Sequence, residues 1–327
     1  MKRREFLTIV GGSAAAWPLA ARAQQPAMPV IGFMSGRSPE DSAPNLAAFR
    51  QGLAETGFVE GQTITIEFRW ANGDYDRLPV LASDLVNRKV AVLVALGGDA
   101  SPLAAKAATT AIPIVAVFTT DPIELGVVAS LRRPEGNITG VSVLNATLEA
   151  KRLGLLHDLI PRATKLGILV NPTFPGAMGQ SRNLQEAARL LNVELQFVSA
   201  NTDAGIDTAF ETIASDGLQG LVVTTDSFFL TRQTKLAELA TRHKLPTMFS
   251  QRAFVVDGGL VSYGVDLAGL YRQTGVYAGR ILKGSKPADL PIMQAIKFQL
   301  VVNQRTARLL GLTLSPDLLS IADEVIE

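Results

Sequence analysis

The chain has 327 residues, of which 47% are hydrophobic and 19% are charged, and its formal net charge is +1 at pH 7. These values are typical of a globular protein with room for two hydrophobic cores, and the near-neutral charge gives no reason to expect a nucleic acid as partner. Cysteine is absent and histidine occurs twice. Disulfides and thiolate-rich metal sites are therefore excluded, and we expect no cofactor.

The first 23 residues have the features of a cleaved export signal. Arg3 and Arg4 precede a moderately apolar segment rich in glycine and alanine, and Ala21 and Ala23 have the small-x-small spacing of a cleavage site. The paired arginines, followed by Phe6-Leu7, resemble the twin-arginine export signal. A basic N-terminal helix, or an uncleaved membrane anchor, is the alternative.

The remaining sequence predicts a protein that is free in the periplasm. None of its apolar runs reaches the roughly 18 residues that a membrane-spanning helix needs, so we expect no stable membrane insertion. Since the chain lacks cysteine, it also lacks a site for a lipid anchor near the cleavage point. We expect an exported, soluble monomer.

From residue 29 onwards, short apolar runs alternate with amphipathic segments. The strands predicted in the first half are 29–34, 63–70, 90–96, 112–118 and 138–141. The helices predicted between them are 45–56, 75–87 and 102–109. This alternation is typical of an α/β fold, in which right-handed crossovers connect the strands of a doubly wound parallel sheet.

A polar segment, Thr119-Thr120-Asp121-Pro122, follows the fourth strand. Its order predicts the start of a helix that runs to about residue 131, with Asp121 as N-cap and Pro122 at the first helical position. The segment also lies at the carboxyl end of a buried strand, which is the edge where parallel sheets bind ligands.

The second half of the chain repeats the order of elements of the first. Three pairs of predicted strands correspond: 30–34 with 166–170, 91–96 with 220–225, and 112–116 with 245–249. In addition, GLVSYG at 259–264 resembles NITGVS at 137–142. The identity is low, but the recurring order predicts two similar Rossmann-like lobes.

The C-terminal segments are too short for a third lobe and are expected to complete the other two. They comprise a helix at 267–282, a linker at 286–291, a strand at 298–303 and a short helix at 306–310. We therefore expect the chain to cross between the lobes near 142–145, 262–266 and 286–291, which makes a hinge. The expected lobes are 27–142 with 263–285, and 143–262 with 286–327.

Several segments together resemble the ABC-transporter substrate-binding family that includes the tryptophan/tyrosine-binding proteins. They include PVIGFMSG, TTDPIELGVVASLRRPEGNITGVSVL and GGLVSYGVDLAGLYRQTGVYAGRILKGSKPADLPI, and the likeness extends over almost all of the chain after the export signal. The resemblance implies a type I periplasmic binding fold with a multi-crossover hinge. It also implies a small-molecule ligand and an inner-membrane ABC permease, with its ATPase on the cytoplasmic side, as partner.

Candidate ligand-binding residues follow the strands whose carboxyl ends should meet at the cleft. They are Ser35, Arg37, Gly98, Thr119, Thr120 and Asp121 in the first lobe, Asn171, Thr173, Asp226 and Ser227 in the second, and Ser142 and Tyr263 at the crossings. Hydroxyls and helix N-termini suit an anionic group, and an acid in the second lobe suits an amine. An amino acid or related small carboxylate is the preferred ligand. The alternatives are a capping role for Asp121, a solvated rim position for Arg37 and a core position for Tyr263.

Two other functions are alternatives to ligand delivery. An enzyme is less well supported, because residues 32–36 lack the G-x-S-x-G order and residues 279–284 lack the Lys-Ser/Thr that completes a P-loop. A periplasmic sensor that passes its ligand state to a receptor fits the same sequence features as an importer subunit.

The export signal generates a first prediction. Changing Arg3 and Arg4 together to lysine should leave precursor in the cytoplasm, because the twin-arginine route requires both guanidinium groups. Cell fractionation and intact mass measure this, and N-terminal sequencing of the wild type should begin at Gln24. Mature double-lysine variant outside the cytoplasm would contradict the route.

Overall fold

The computed structural model describes residues 28–143, 145–295 and 297–327, so the predicted export signal lies outside the described residues. Its strands, in chain order, are β1 (Val30–Ser35), β2 (Thr65–Trp70), β3 (Val92–Leu96), β4 (Ile114–Phe118), β5 (Ile138–Ser142), β6 (Lys165–Val170), β7 (Glu194–Ser199), β8 (Leu221–Val223), β9 (Thr247–Phe249), β10 (Val261–Val265), β11 (Met293–Gln294), β12 (Phe298–Asn303) and β13 (Glu324–Ile326).

The α-helices occupy most of the connections between these strands. In chain order they are α1 (Ala43–Glu55), α2 (Leu78–Asn87), α3 (Ala100–Ala108), α4 (Asn145–Leu159), α5 (Ala177–Leu191), α6 (Asp203–Ser215), α7 (Ser227–Leu230), α8 (Gln233–Arg242), α9 (Arg252–Val256), α10 (Leu267–Leu282), α11 (Gln304–Leu309) and α12 (Pro316–Ile321). Within the described ranges, no helix combines the length and the apolar character needed to span a bilayer.

The first sheet has the strand order β11-β5-β4-β3-β1-β2 and is parallel throughout. Alternate residues of β3 belong to different cores: Val92 and Val94 pack with α1 and α10, whereas Leu93 and Ala95 pack with α2 and α3. Because side chains alternate across a strand, a run that is apolar at every position becomes buried on both faces. We call this sheet with α1–α3 and α10 the first lobe.

The second sheet has the order β13-β12-β10-β9-β8-β6-β7, in which only the pairing of β12 with β10 is antiparallel. Ile168 of β6 belongs to the core formed with α4 and α5, and its neighbour Leu169 to the core formed with α6 and α8. We call this sheet with α4–α9, α11 and α12 the second lobe. The predicted fold of two doubly wound α/β lobes is confirmed.

The chain passes between the two sheets three times. The passages are from β5 to α4, from β10 to α10 and from β11 to β12. The third lies after Gln294 rather than within the expected linker at 286–291. As a result β11 belongs to the first sheet, although the sequence placed residues 286–327 in the second lobe.

The helix predicted after Pro122 is wrong. Residues 122–126 form consecutive turns, and Asp121 accepts a hydrogen bond from the Ile123 amide at 2.8 Å without capping a continuing helix. Gly126 adopts a positive φ of 65°, which a right-handed helix cannot contain. The Val127 carbonyl accepts from Lys106 Nζ of α3, so tertiary contacts hold an irregular segment where local propensity favours a helix.

Two glycines allow α1 and α10 to pack closely in the first lobe. A Cβ atom at Gly52 would lie 1.9 Å from the Arg272 carbonyl oxygen, and one at Gly275 would lie 2.2 Å from the Phe49 carbonyl oxygen. Both distances are far below van der Waals contact with rigid backbone. The two helices therefore approach as closely as they do only because both positions lack a side chain.

Substitution of Gly275 by alanine tests this packing. The change should lower the free energy of unfolding by about 1–3 kcal/mol, since the added methyl group forces the helices apart. Gly154→Ala in α4 is the matched control: nothing lies within 4 Å of its Cβ position, so it should raise stability by roughly 0.4–1 kcal/mol. Urea unfolding followed by circular dichroism measures both, and equal stability of Gly275→Ala and wild type would refute the constraint.

Candidate ligand-binding cleft

The carboxyl ends of the two sheets face each other, and loops from the two lobes make direct contact there. Ser227 Oγ, at the start of α7 in the second lobe, donates to the Gly97 carbonyl after β3 in the first lobe at 2.6 Å. Tyr75, which follows β2, donates its hydroxyl proton to Asp226 Oδ2 of the second lobe at 2.5 Å. The cleft is therefore closed by hydrogen bonds that run from lobe to lobe.

A cavity lies between these loops. Its lining is mostly apolar, with a few polar groups from both lobes. The lining residues are Arg37, Gly97, Gly98, Val117, Thr119, Val143, Phe174, Thr225, Asp226, Ser227, Leu230, Gln251, Val265, Leu267, Leu270 and Tyr271. An apolar pocket with a few convergent polar groups is the usual form of a small-molecule site.

Arg37 is a buried charge in the lining of the cavity, with only 3% of its surface exposed. Its Nε donates to Asp41 Oδ1 at 3.0 Å and its Nη2 to the Asp41 carbonyl at 2.9 Å. Nη1 makes no hydrogen bond within residues 28–143, 145–295 and 297–327. The hydroxyl of Tyr271 is buried beside Ser35 and Arg37 and makes no hydrogen bond of good geometry within those ranges, although both side chains lie close enough to oppose the rise of its pKa. Burial raises the pKa of Tyr271, so its hydroxyl stays a neutral donor.

Asp99 fixes the loop that follows β4. Its carboxylate accepts from the Thr119 amide and the Thr119 hydroxyl, both at 2.7 Å, and from the Thr120 amide at 3.3 Å. Burial raises the pKa of Asp99 above the ordinary carboxyl value, and these donors oppose that rise. The Thr119 hydroxyl proton is thus engaged by Asp99, and only its lone pairs remain available to a ligand.

Asp226 performs the corresponding role in the second lobe. Oδ1 accepts from the amide of Phe228 at 2.8 Å, which caps α7, and from Asn171 Nδ2 at 3.1 Å. Burial is the main cause that raises its pKa, and the hydrogen bonds from Tyr75 and Asn171 lower it. The pKa of Tyr75 is raised well above its usual value by burial and by the Asp226 charge. The pair therefore consists of a neutral phenol and a carboxyl group shared by the two lobes.

A buried ion pair, Arg152 with Glu149, contacts the cavity lining at Thr225. Arg152 Nη1 of α4 donates to Glu149 Oε1 at 2.9 Å and to the Thr225 hydroxyl at 2.8 Å, and Arg152 Nε donates to the Tyr263 carbonyl at 2.6 Å. Both charged side chains are at most 1% exposed. The guanidinium thus links the crossing strand β10 to the loop that carries Thr225 and Asp226.

The structure brings together five of the residues that the sequence singled out. Arg37, Gly98, Thr119, Asp226 and Ser227 line the cavity. The remaining candidates are placed elsewhere, and their assignment to the site stays a prediction.

These remaining candidates lie in three different parts of the structure. Thr120 and Asp121 line a neighbouring outer cavity. Ser35, Asn171 and Thr173 hydrogen-bond within the loops that carry lining residues. Ser142 and Tyr263 lie in the crossing strands β5 and β10, where Tyr263 packs on Phe298 with ring centroids 6.1 Å apart.

Several residues that line the cavity or join the lobes were not singled out from the sequence, and four of them matter most here. They are Tyr75, Phe174, Gln251 and Tyr271. Gln251 lies two residues after the end of β9, so the rule that identified the other loops could have located it. Tyr271 belongs to the apolar stripe of α10, and its sequence pattern is that of a core residue.

Comparison with known proteins adds to this geometry. Residues 30–326 match the family described as ABC transporter substrate binding protein. A tyrosine-binding protein of Clostridioides difficile is 28% identical over 267 residues, which are 81% of this chain and 75% of that protein.

Two solved structures share the fold. One is a conserved domain protein from Vibrio cholerae, with a TM-score of 0.84 and 24% identity, covering 91% of this chain and 99% of that chain. The other is an ABC domain from Streptococcus pneumonia in complex with L-Trp, with a TM-score of 0.83 and 24% identity, covering 92% of this chain and all of the other.

The contact between Tyr75 and Asp226 generates a prediction about lobe closure. Tyr75→Phe removes a hydrogen bond that exists only while the lobes touch, so it should shift the population towards open molecules. Small-angle scattering should then show a larger radius of gyration than for wild type. Tyr277→Phe is the matched control, because its hydroxyl donates to the Pro291 carbonyl within the first lobe, and it should leave the radius unchanged. Identical scattering of Tyr75→Phe and wild type would show that this bond does not hold the lobes together.

Proposed function

This chain belongs to the ABC transporter substrate-binding protein family, and on that premise we propose that it captures an amino acid, or a closely related small carboxylate, between its lobes and delivers it to an ABC importer. One observation carries the ligand class: buried Arg37 and the Tyr271 hydroxyl, which lacks a hydrogen bond of good geometry, lie side by side at a mostly apolar cavity.

The carboxylate of the ligand is assigned to Arg37 and Tyr271. A guanidinium presents several N–H donors in a planar fork that suits carboxylates, and Arg37 has Nη1 still available. Most buried polar atoms in native structures have hydrogen-bond partners. We therefore assign the Tyr271 hydroxyl as a hydrogen-bond donor to the carboxylate of the bound ligand. The Arg37–Asp41 pair is neutral by itself, which makes burial of the guanidinium tolerable.

The amino group of the ligand is assigned to the second lobe. Asp226 Oδ2 accepts a single hydrogen bond, from Tyr75, so it retains a lone pair for a ligand ammonium. Gln251 adds an amide at the same cavity. A ligand that carries both charges then meets an opposite charge or a dipole at each end, and no charge is buried unpaired.

The apolar part of the lining sets the character of the ligand's body. Val117, Phe174, Leu230, Leu270 and Tyr271 surround the cavity, which favours a large apolar or aromatic side chain. The tyrosine-binding relative and the L-Trp complex agree with this preference. We therefore place aromatic amino acids first among the candidate ligands.

Delivery to an importer and residence in the periplasm follow from the family together with the expected export signal, and they belong to the proposal. The family and the relatives are binding proteins, in line with the expectation that the chain is not an enzyme. A sensor that passes its ligand state to a receptor uses the same cleft, and uptake of labelled ligand by a deletion strain separates the two roles.

Replacement of Arg37 tests the proposed site. Arg37→Gln removes a charged hydrogen bond to the ligand carboxylate, which costs on the order of 1.5–3 kcal/mol, or roughly a tenfold to hundredfold loss of affinity. Calorimetry of the purified protein against the twenty amino acids identifies the ligand and measures the loss. Arg50→Gln is the matched control, because Arg50 pairs with Glu60 on the surface. This variant should bind the ligand with wild-type affinity.

Two outcomes would contradict this function. If the wild type binds none of the amino acids but does bind a neutral sugar, the ligand class is wrong. If Arg37→Gln binds with wild-type affinity, the carboxylate does not lie at Arg37. Because Arg37→Gln leaves Asp41 unpaired, Arg37→Lys is measured as well, and it should retain part of the affinity by keeping the charge without the fork.

A further inference from the structure

Two cavities in the cleft share a wall. We call the cavity described above the inner cavity, and a second cavity nearer to α5 the outer cavity. Among the residues that the structure describes, Thr119 and Phe174 alone line both cavities. The Thr119 hydroxyl is held by Asp99, and the ring of Phe174 is the larger of the two groups that separate the cavities.

Phe174 reaches from the second lobe to the loops of the first. It follows β6 in a turn, in which its amide donates to the Asn171 carbonyl at 3.2 Å, and it is only 4% exposed. Its ring centroid is 6.5 Å from that of Tyr75 in the first lobe. A large side chain with this little exposure at the edge of a cleft is buried by the opposite lobe.

Gly176 leaves the space that this ring occupies. A Cβ atom there would lie 2.5 Å from Phe174 Cε1 and 2.8 Å from the Thr120 hydroxyl oxygen of the first lobe. A side chain at position 176 would therefore displace the ring or separate the lobes. The absence of one lets Phe174 and the loop after β4 meet.

The two cavities differ in character. The inner one is lined mainly by apolar side chains. The outer one is lined by polar and charged groups, among them Asp121, Glu124, Gln180, Arg182 and Asn183. A ligand that extended beyond Phe174 would place a polar portion, such as a second peptide unit, in the outer cavity.

We propose that Phe174 determines ligand length: it seals the inner cavity when the lobes meet and excludes ligands larger than a single amino acid. The statement about amino acids rests on the proposed function, whereas the seal itself does not. Removing the ring should join the two cavities into one elongated site that accepts a longer, polar-ended ligand.

The seal is tested without any ligand. Because the chain contains no cysteine, Val117→Cys places a single thiol in the inner cavity, and Val80→Cys places one on the exposed surface of α2. We expect Phe174→Ala to speed labelling at position 117 by a bulky fluorescent maleimide at least tenfold. Labelling at position 80 should not change.

Two further variants separate a lost seal from general opening or loosening. Tyr75→Phe should speed labelling by small methyl methanethiosulfonate and by the bulky maleimide alike, because it opens the lobes. Phe174→Ala should reduce the difference between the two reagents. Phe58→Ala, a truncation in the first-lobe core away from the cleft, should leave the ratio of the two rates unchanged. An unchanged rate ratio at position 117 in Phe174→Ala would overturn the seal.

Length selection is tested by calorimetry with the best-bound amino acid and its two glycyl dipeptides. Wild type should prefer the amino acid by at least a hundredfold, and Phe174→Ala should reduce this preference to tenfold or less. An unchanged preference would overturn the length-determining role. If no amino acid binds to wild type while the labelling ratio changes as expected, the proposed function fails and the seal stands.

Discussion

The closed cleft depends on a buried carboxyl group that the two lobes satisfy together. Within the second lobe, Asp226 receives hydrogen bonds from Asn171 and from the amides at the start of α7; its last partner, the Tyr75 hydroxyl, comes from the first lobe. Burial raises the pKa of Asp226 because a desolvated charge is costly, and each donor offsets part of that cost. Closure therefore adds a donor that the second lobe lacks by itself. It also brings Ser227, next to Asp226, into hydrogen-bond contact with the Gly97 carbonyl.

The other charges of the cleft are compensated inside their own lobes. Arg37 is paired with Asp41, Asp99 is held by the loop at Thr119, and Arg152 is paired with Glu149. Because these groups are fixed before a ligand arrives, little side-chain entropy remains to be lost on binding. The lining can consequently be mostly apolar and still present a few polar atoms in defined places. The two lobes share an architecture but contribute different groups to the cavity: the first lobe contributes Arg37, and the second contributes Phe174.

Regular elements were predicted well wherever local pattern and burial agree. β3 and β4 are short apolar runs buried on both faces, and α10 was predicted with its exact bounds. The helix predicted after Thr120 is absent for a physical reason. Its Asp-Pro start favours a helix, but Gly126 takes a positive φ and Lys106 donates a hydrogen bond to the Val127 carbonyl. The strand β11 has two residues, and it exists only because β5 offers an open edge. Such elements have no periodicity of their own for a sequence to reveal.

The sequence by itself determined the α/β class, the two similar lobes and the loops that bound the cleft, because these follow from local periodicity and from the rule that parallel strands end at one edge. It therefore singled out Arg37, Thr119 and Asp226, which line the cavity; their contact with a ligand stays a prediction. Only the tertiary structure decided how those side chains are used: the Thr119 hydroxyl donates a hydrogen bond to Asp99, and Asp226 accepts one from Tyr75, which is 151 residues away in sequence. Contacts between residues so distant in sequence leave no local pattern, since they arise when two separately folded sheets are brought face to face.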